Sequence, residues 1–381
     1  MRFTELFEAW HESRLTQQEA ARVLGVCERS FRRYALRFED EGLEGLIDRR
    51  LGQVSHRRAP VDEVMGLTEL YRARYAGWNV RHFHSWYRRE HEGARSYSWV
   101  KKQLQIQGLV ERSSRRGAHR KRRECAPLAG MMLHQDGSRH EWVAAQRWDL
   151  IVTMDDATNE HYSMFFVEEE GTASSFRGVS ELIERHGLFA SFYSDRGSHY
   201  WSTPEAGGKV DKTRPTQFGR AMAQLGIEMI AAYSPEARGR SERAFRTHQD
   251  RLPRELAAAG ITDMEQANRY LREAYQPAHN AEFAHPSREP GTAFVPFIGT
   301  NLSEILCEHF ERTVGNDNCV RFEGRGLQIP ADRHRCHYVK AKVRVHRYPD
   351  QSLAVFHGPR CLARYAPEGT PVTEEVLKAV A

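Results

Sequence analysis

Three short segments set acids among residues that handle phosphate. HQDGS at 134–138 ends an apolar run on Asp136, and YSDRGSHY at 193–200 ends another on Asp195. SPEARGRSERAF at 234–245 holds Glu236 and Glu242 beside Arg238, Arg240 and Arg243, with Arg246 one residue on. Carboxylates gathered from several chain segments, without a Cys/His set of zinc type, suit Mg²⁺, which prefers oxygen ligands and keeps waters for a substrate phosphate. Two such ions roughly 3.5 to 4 Å apart would activate a nucleophile and stabilise the leaving oxygen of a phosphodiester. Each acid alone has a plainer reading. Asp136 could be a turn residue, Asp195 a loop or helix cap, and Glu242 an ion-paired surface residue, since Arg238 and Arg246 lie four residues before and after it.

The elements that must carry these acids are legible from periodicity. MMLHQD (131–136), WDLIVTMD (148–155) and HYSMFFVE (161–168) read as strands, the last two joined by the turn-rich DATN. A helix follows from about Ala173 to His186, then a strand FASFYSD ending at Asp195. After a loop rich in Gly, Pro and Lys come a helix through Gln224, a strand at 227–233 and a helix from Ser241 to about Leu252. This order predicts an α/β domain with a mixed sheet, whose neighbouring strand ends are where side chains converge on a site. Asp136 and Asp195 close the first and fourth strands; Glu242 opens the helix after the fifth.

The front of the chain is helical and basic. Thr16 and Glu19 form a capping box before Ala20, Ala21 and Leu24, Gly25 breaks that helix, and a second from about Cys27 buries Phe31, Tyr34 and Phe38 while Arg29, Arg32 and Arg33 face outward. That is a helix-turn-helix pattern. A second unit repeats it, with Val64, Leu67 and Tyr71 marking one helix, NVRHFHSWYRRE another, and SYSWVKKQLQIQGLV a third that carries Lys101 and Lys102 in its early turns. A basic linker with Arg120, Lys121, Arg122 and Arg123 ends near Pro127. Residues 1–123 hold 26 Lys/Arg against 16 Asp/Glu, or +10, leaving −5 for the remainder of a chain whose total is +5. Clustered Lys/Arg are what phosphate neutralisation requires, so double-stranded DNA is the expected partner.

No apolar run approaches the roughly 20 residues of a membrane span, and MRFTELFEAWHESRL lacks the apolar core of a signal peptide. A cytoplasmic protein is expected. The six cysteines form no CxxC pair, and HRCH at 334–337 has no spaced partner, so neither a disulfide framework nor a zinc ribbon is indicated. Near the end, YVKAKVRVH alternates Val339, Ala341, Val343 and Val345 with Lys340, Lys342, Arg344 and His346, a strand with one apolar and one cationic face.

Taken together, HQDGS, YSDRGSHY and SPEARGRSERAF resemble the three catalytic blocks of the DDE transposases of bacterial insertion sequences, in the retroviral-integrase superfamily, and most resemble the ISNCY-type group. The paired helical modules, GLEGLIDRR at 42–50 included, and the tail HNAEFAHPSREPGTAF resemble those proteins as well. The resemblance implies a multidomain chain: helix-turn-helix domains at 1–55 and 56–112, a linker at 113–127, an RNase H-like integrase core at 128–290 and a small C-terminal β-barrel at 291–381. It further implies that Asp136, Asp195 and Glu242 are catalytic and hold two Mg²⁺ (or Mn²⁺) ions for DNA cleavage and strand transfer, in a homo-oligomer that pairs two element ends. Asp155 and Asp156 compete for the first position and Glu236 for the third, but the former fall in a hairpin and Glu236 precedes the helix. Arg29, Arg32, Arg33, Lys101, Lys102, Arg120, Lys121, Arg122, Arg123, Arg240 and Arg243 are the expected DNA contacts. Two departures stand out: 46 residues separate Asp195 from Glu242, and Cys27 occupies a cap position where Ser or Thr is usual. A DNA-binding regulator derived from a transposase and a stand-alone RNase H-like nuclease are the competing functions.

Overall fold

The computed structural model describes residues 2–48, 58–112, 124–205, 208–233, 239–299, 301–331 and 335–372. The linker bases Arg120 to Arg123, and Glu236, Arg238 and His334, lie outside the described residues. The chain separates into two compact units, one of residues 1–76 and 98–111, the other of 77–97 and 112–381.

The first unit is helical. It contains α1 (Phe3–His11), α2 (Gln17–Leu24), α3 (Glu28–Glu41) and α4 (Val61–Arg74); after the intervening α5 (Val80–Glu90), which belongs to the second unit, it takes most of α6 (Tyr97–Ile106). Thr16 caps α2 as its sequence predicts: its hydroxyl accepts the Glu19 amide and the Glu19 carboxylate accepts the Thr16 amide at 2.8 Å. Gly25 ends that helix at φ 75°, a conformation other residues adopt at a cost. Cys27 caps α3 without a side-chain bond to its backbone. Leu6, Ala20, Ala21 and Phe31 form the small core, so α1 completes a bundle that the turn between α2 and α3 could not close alone.

The second unit is built on a five-stranded sheet of β1 (Met132–Val143), β2 (Gln146–Asp155), β3 (His161–Val167), β4 (Ser191–Ser194) and β5 (Glu228–Ala231), in spatial order β3-β2-β1-β4-β5. β1, β2 and β3 run antiparallel, and β4 and β5 add in parallel beside β1. The mixed sheet expected from the sequence is therefore present. Parallel addition needs crossovers, which α7 (Thr172–His186) and α8 (Gln217–Gln224) supply. Their Phe176, Val179, Phe218 and Met222 bury one face of the sheet with Leu133 and Phe192. The other face is covered by α9 (Ser241–Ala258) and α10 (Met264–Tyr270), with α11 (Gln276–Phe283) following; there Phe245, Leu252 and Leu256 meet Val152, Met154 and Phe166. Each of these fully buried side chains stabilises by about 2 kcal/mol.

Two expectations change here. β1 does not end at Asp136 but runs on to Val143, because Arg139, His140 and Glu141 pair with Asp149, Trp148 and Arg147 in a hairpin turned at Ala145, whose φ is 63°. Trp142 anchors that extension; it is fully buried and its indole N–H donates to the Trp148 carbonyl at 2.9 Å. Likewise α9 continues past Leu252 to Ala258 through Pro253, its last two turns held by the burial of Glu255 and Leu256.

The core claims residues well past 290. Leu188 exchanges backbone bonds with Val295, and Phe294, Phe297, Leu302 and Leu306 join the α7 side. Beyond them lies a β-rich region of β6 (Glu308–Thr313), β7 (Cys319–Phe322), β8 (Arg325–Gln328), β9 (Lys342–Arg347), β10 (Leu353–His357), β11 (Arg360–Tyr365) and β12 (Pro371–Val372). It comprises an antiparallel sheet in the order β12-β11-β10-β9-β6 and a β7-β8 hairpin that share one apolar cluster. Among the described residues this sheet is open, with β12 and β6 as its edges, so the expected barrel is not closed. The alternating strand is shorter than expected because Lys340 turns at φ 61°, and His346 is buried rather than on the cationic face.

Candidate active site

Register decides how Asp136 and Asp195 stand to one another. β1 and β4 are parallel neighbours paired at His134 and Tyr193, and each aspartate lies two residues beyond that pair. Two residues along a strand return to the same face, so Asp136 shares the face of His134, while β4 ends at Ser194 and Asp195 is the first residue past it, on the chain segment next to β1. The face is the one α9 covers: Asp136 is paired across the sheet with Val152 and His134 with Met154, both in the α9 core. Asp136 is buried, and its Oδ1 accepts the Gly137 amide at 3.1 Å. Oδ1 of Asp195 accepts the Gly197 amide at 2.9 Å, while the loop beyond is tied back by Trp201, whose indole donates to the Ser194 hydroxyl at 3.0 Å.

A further acid, Glu170, lies over the opposite face of β1, where the Gly137 side chain would stand. A Cβ at Gly137 would stand 2.3 Å from Glu170 Oε2, so glycine is what lets this carboxylate fold over β1. Its other oxygen lies 3.5 Å from His199 Nε2. Burial, then the charge of Glu170 and further those of Asp136 and Asp195, push the Tyr200 phenol well above its usual range. Tyr200 donates to Gln135 Oε1 at 2.9 Å beneath the strand. The available sequence signal was Gly137 itself, inside a strand where a glycine marks close approach.

Glu242 stands exposed in the first turn of α9. That helix is fastened to β1 by Gln249, which donates to Ser138 Oγ at 2.9 Å, and to α5 by the buried Glu255, which accepts from His82 Nε2 at 2.7 Å and from Tyr270 at 2.8 Å. α5, read from sequence as part of the second helical module, thus packs with the core instead. Among the described residues the three candidate acids do not form a group whose ligand atoms all lie within 4.8 Å of one another; the two such groups contain histidine.

Asp155 and Asp156, the competitors for the first position, are consumed by the fold. Asp155 Oδ1 accepts the Ala157 and Thr158 amides at 2.8 and 2.9 Å, and its Oδ2 accepts the Gly130 amide at 2.8 Å. Asp156 accepts from His134 Nε2 at 2.8 Å and the Ala126 amide at 2.7 Å, and pairs with Arg240 Nε at 3.0 Å. Burial opposes its ionisation, but the hydrogen bonds from His134 and Ala126 and the charges of His134 and Arg240 win, holding the carboxyl at about 2. Arg240 was expected at a phosphate. Its guanidinium is instead spent inside the fold, donating also to the Asp156 carbonyl at 2.9 Å and to Cys125 Sγ at 2.6 Å, which pins the start of α9 to the end of the sheet.

Comparison with known proteins gives the family. Residues 9–62 match the family model described as a winged helix-turn helix. The chain is 30% identical over 355 residues to the Sinorhizobium fredii protein "Putative transposase y4bF", covering 90% of this chain and 76% of that one. The chain belongs to the insertion-sequence transposases. The "Transposase for insertion sequence IS1202" of Streptococcus pneumoniae is 29% identical over 209 residues, or 54% of this chain and 44% of that relative. Solved structures align loosely: a simian T-cell lymphotropic virus intasome at TM-score 0.35 and 12% identity, over 79% of this chain and 99% of that one. The HTLV-2 integrase catalytic core domain in complex with magnesium aligns at TM-score 0.30 and 14% identity, over 37% of this chain and 82% of that one.

For this transposase the remaining expected DNA contacts fall as follows. Arg29, Arg32, Arg33 and Lys102 are exposed on their helices, and Lys101 is half-buried. Arg243 is exposed and donates to the Gly239 carbonyl at 2.6 Å. No described helix is long and apolar enough to cross a membrane.

Proposed function

We propose that this chain binds the terminal inverted repeats of its own element and catalyses metal-dependent cleavage of the DNA there, followed by strand transfer. The observation that supports the reading is the parallel β1–β4 register, which runs the chain just past β4, where Asp195 lies, beside β1 with Asp136, on a sheet covered by the helix whose first turn holds Glu242. The strand order β3-β2-β1-β4-β5, in which β2 alone runs antiparallel to the other four, is read as an RNase H-like core.

The donor set fits a hard divalent cation: carboxylate oxygens, with the nitrogen and sulfur clusters elsewhere in the unit. Asp136, Asp195 and Glu242 would hold Mg²⁺ or Mn²⁺, two ions in all. When bound, such ions supply positive charge for deprotonating a nucleophile and for the leaving oxygen. The protein's own part is positioning. Asp136 is fixed by strand pairing, Asp195 by the Gly197 amide and the Trp201 tether, and the start of α9 by the Arg240–Asp156 pair. In the reaction, water displaces one strand at the element end and leaves a 3′-hydroxyl. That hydroxyl's oxygen then bonds to a target phosphorus as the bond from that phosphorus to the target strand's 3′-oxygen breaks, leaving a target 3′-hydroxyl. The exposed Arg29, Arg32 and Arg33 of α3 bind the element end, with Lys101 and Lys102 on α6, the linker bases Arg120, Lys121, Arg122 and Arg123, and Arg243 as further phosphate contacts.

The test incubates purified protein and Mg²⁺ with DNA carrying the element ends, for wild type, Asp195→Asn and Glu242→Gln. Cleavage by wild type alone supports the assignment. Equal cleavage by all three sinks the site, and failure to bind any end sinks the transposition reading.

A further inference from the structure

Beneath α9, and apart from the carboxylates, three histidines from three elements meet: His161 at the start of β3, His248 in α9 and His279 in α11. Each is buried, and one nitrogen of each lies within 4.8 Å of the other two. Nε2 of His161 and Nε2 of His248 face each other at 3.1 Å.

The hydrogen bonds around them set the tautomers. Nδ1 of His161 is 3.0 Å from the Asn159 carbonyl, which can only accept, so Nδ1 carries the proton and Nε2 presents a bare lone pair to the cluster. Nδ1 of His248 is 2.9 Å from the hydroxyl of the buried Tyr275. A carbonyl and a phenol on the outer nitrogens are the supports that ligating histidines usually have. His279 adds an unexplained feature: its Nδ1 is buried with no hydrogen-bond partner, in a residue only 7% exposed. Arg251, which shares a pocket wall with His279, is neutralised by a two-pronged pair with Glu282 at 2.8 and 3.0 Å. A cavity of about 160 Å³, with His161, His279, Asn159 and Thr247 in its wall together with Arg240 and Arg243, leaves room for a water beside the rings.

We propose that His161, His248 and His279 bind one zinc ion, with a water from the cavity as fourth ligand. Imidazole is a zinc donor, and Zn–N bonds of about 2.0 to 2.1 Å in a tetrahedron set the nitrogens roughly 3.4 Å apart, a small opening of the observed pair. The site is separate from the proposed catalytic metals. His248 follows Glu242 by six residues, about 9 Å along the helix, so the zinc would lock α9 to β3 and α11 and thereby fix the helix whose first turn carries Glu242. The inference does not depend on the proposed reaction.

The experiment uses the full chain, stripped with a chelator, dialysed and titrated with Zn²⁺ by calorimetry with metal counting, and with Co²⁺ followed by visible absorption. One zinc per chain is expected, with intense Co²⁺ bands of low coordination. His248→Gln and His279→Gln should each weaken binding by at least about 100-fold. Asp195→Asn and the Cys307→Ser/His346→Gln double variant should leave it unchanged, which separates this site from the carboxylates and from the other cysteine–histidine group. Zinc-edge X-ray absorption of the wild type, which needs no variant to fold, should read three nitrogens and one oxygen. Absence of stoichiometric zinc, binding that survives both histidine variants, loss of zinc in either control, or a sulfur ligand would overturn the proposal.

Discussion

Two pairs of aspartates lie on the same sheet within one strand of each other, and the fold treats them oppositely. Asp155 and Asp156 end β2 and are turned inward, where backbone amides, His134 and Arg240 consume their oxygens. Asp136 and Asp195 lie two residues beyond a parallel register pair. A carboxylate whose oxygens are bound in the interior holds structure, whereas Asp136 and Asp195 are the pair proposed to meet the metal. The difference is one of surroundings, since all four are the same residue type.

The largest effect that would break this comparison is catalytic. Asp136→Asn or Asp195→Asn should lower cleavage by about 10³-fold, roughly 4 kcal/mol of barrier, and leave the melting temperature within a degree or two. A large loss of stability instead would move these residues into the structural class. Next comes Asp156→Asn, which leaves Arg240 buried without its counter-charge and should cost about 3 kcal/mol in a denaturant melt. Cleavage by the folded fraction should then fall far less than in Asp195→Asn.

A smaller effect concerns pH. The Asp156 carboxyl sits at about 2 when folded against 3.8 ordinarily, so its stabilisation is present above roughly pH 4 and is lost as pH falls towards 2. Asp155 runs the other way, because burial raises its pKa despite the amide bonds; its contribution is present at low pH and lost as pH rises through the folded value. Acid melts of Asp156→Asn should therefore lack part of the wild-type acid limb, and those of Asp155→Asn should steepen it. The smallest effect lies at the front of the chain. Arg29→Ala, Arg32→Ala and Arg33→Ala should each reduce the salt slope of end binding by about one, and an unchanged slope would return those arginines to the solvated surface.

Local chemistry carried much of the fold into view. The Thr16 capping box, the Gly25 break and the strand–strand–strand–helix–strand order were readable because caps, glycines and periodicity act over a few residues. What escaped had a distant cause. β1 looked finished at Asp136 because Arg139, His140 and Glu141 hide an edge whose anchor, Trp142, is buried only once Trp148 and Phe166 arrive. Arg240 read as a phosphate contact because its partner, Asp156, lies 84 residues away. Glu170 and the three histidines had no signal beyond a strand glycine, since nothing local marks residues that meet only in space.

By itself, then, the sequence determined the classes of element, the charge imbalance and three candidate acids, for each of these rests on near neighbours or on composition. Only tertiary structure decided which aspartates stay at the rim, that Arg240 turns inward, that α5 packs with the core, and that three buried histidines converge. Those outcomes rest on register and on contacts between distant segments, which no stretch of chain contains until the sheet has formed.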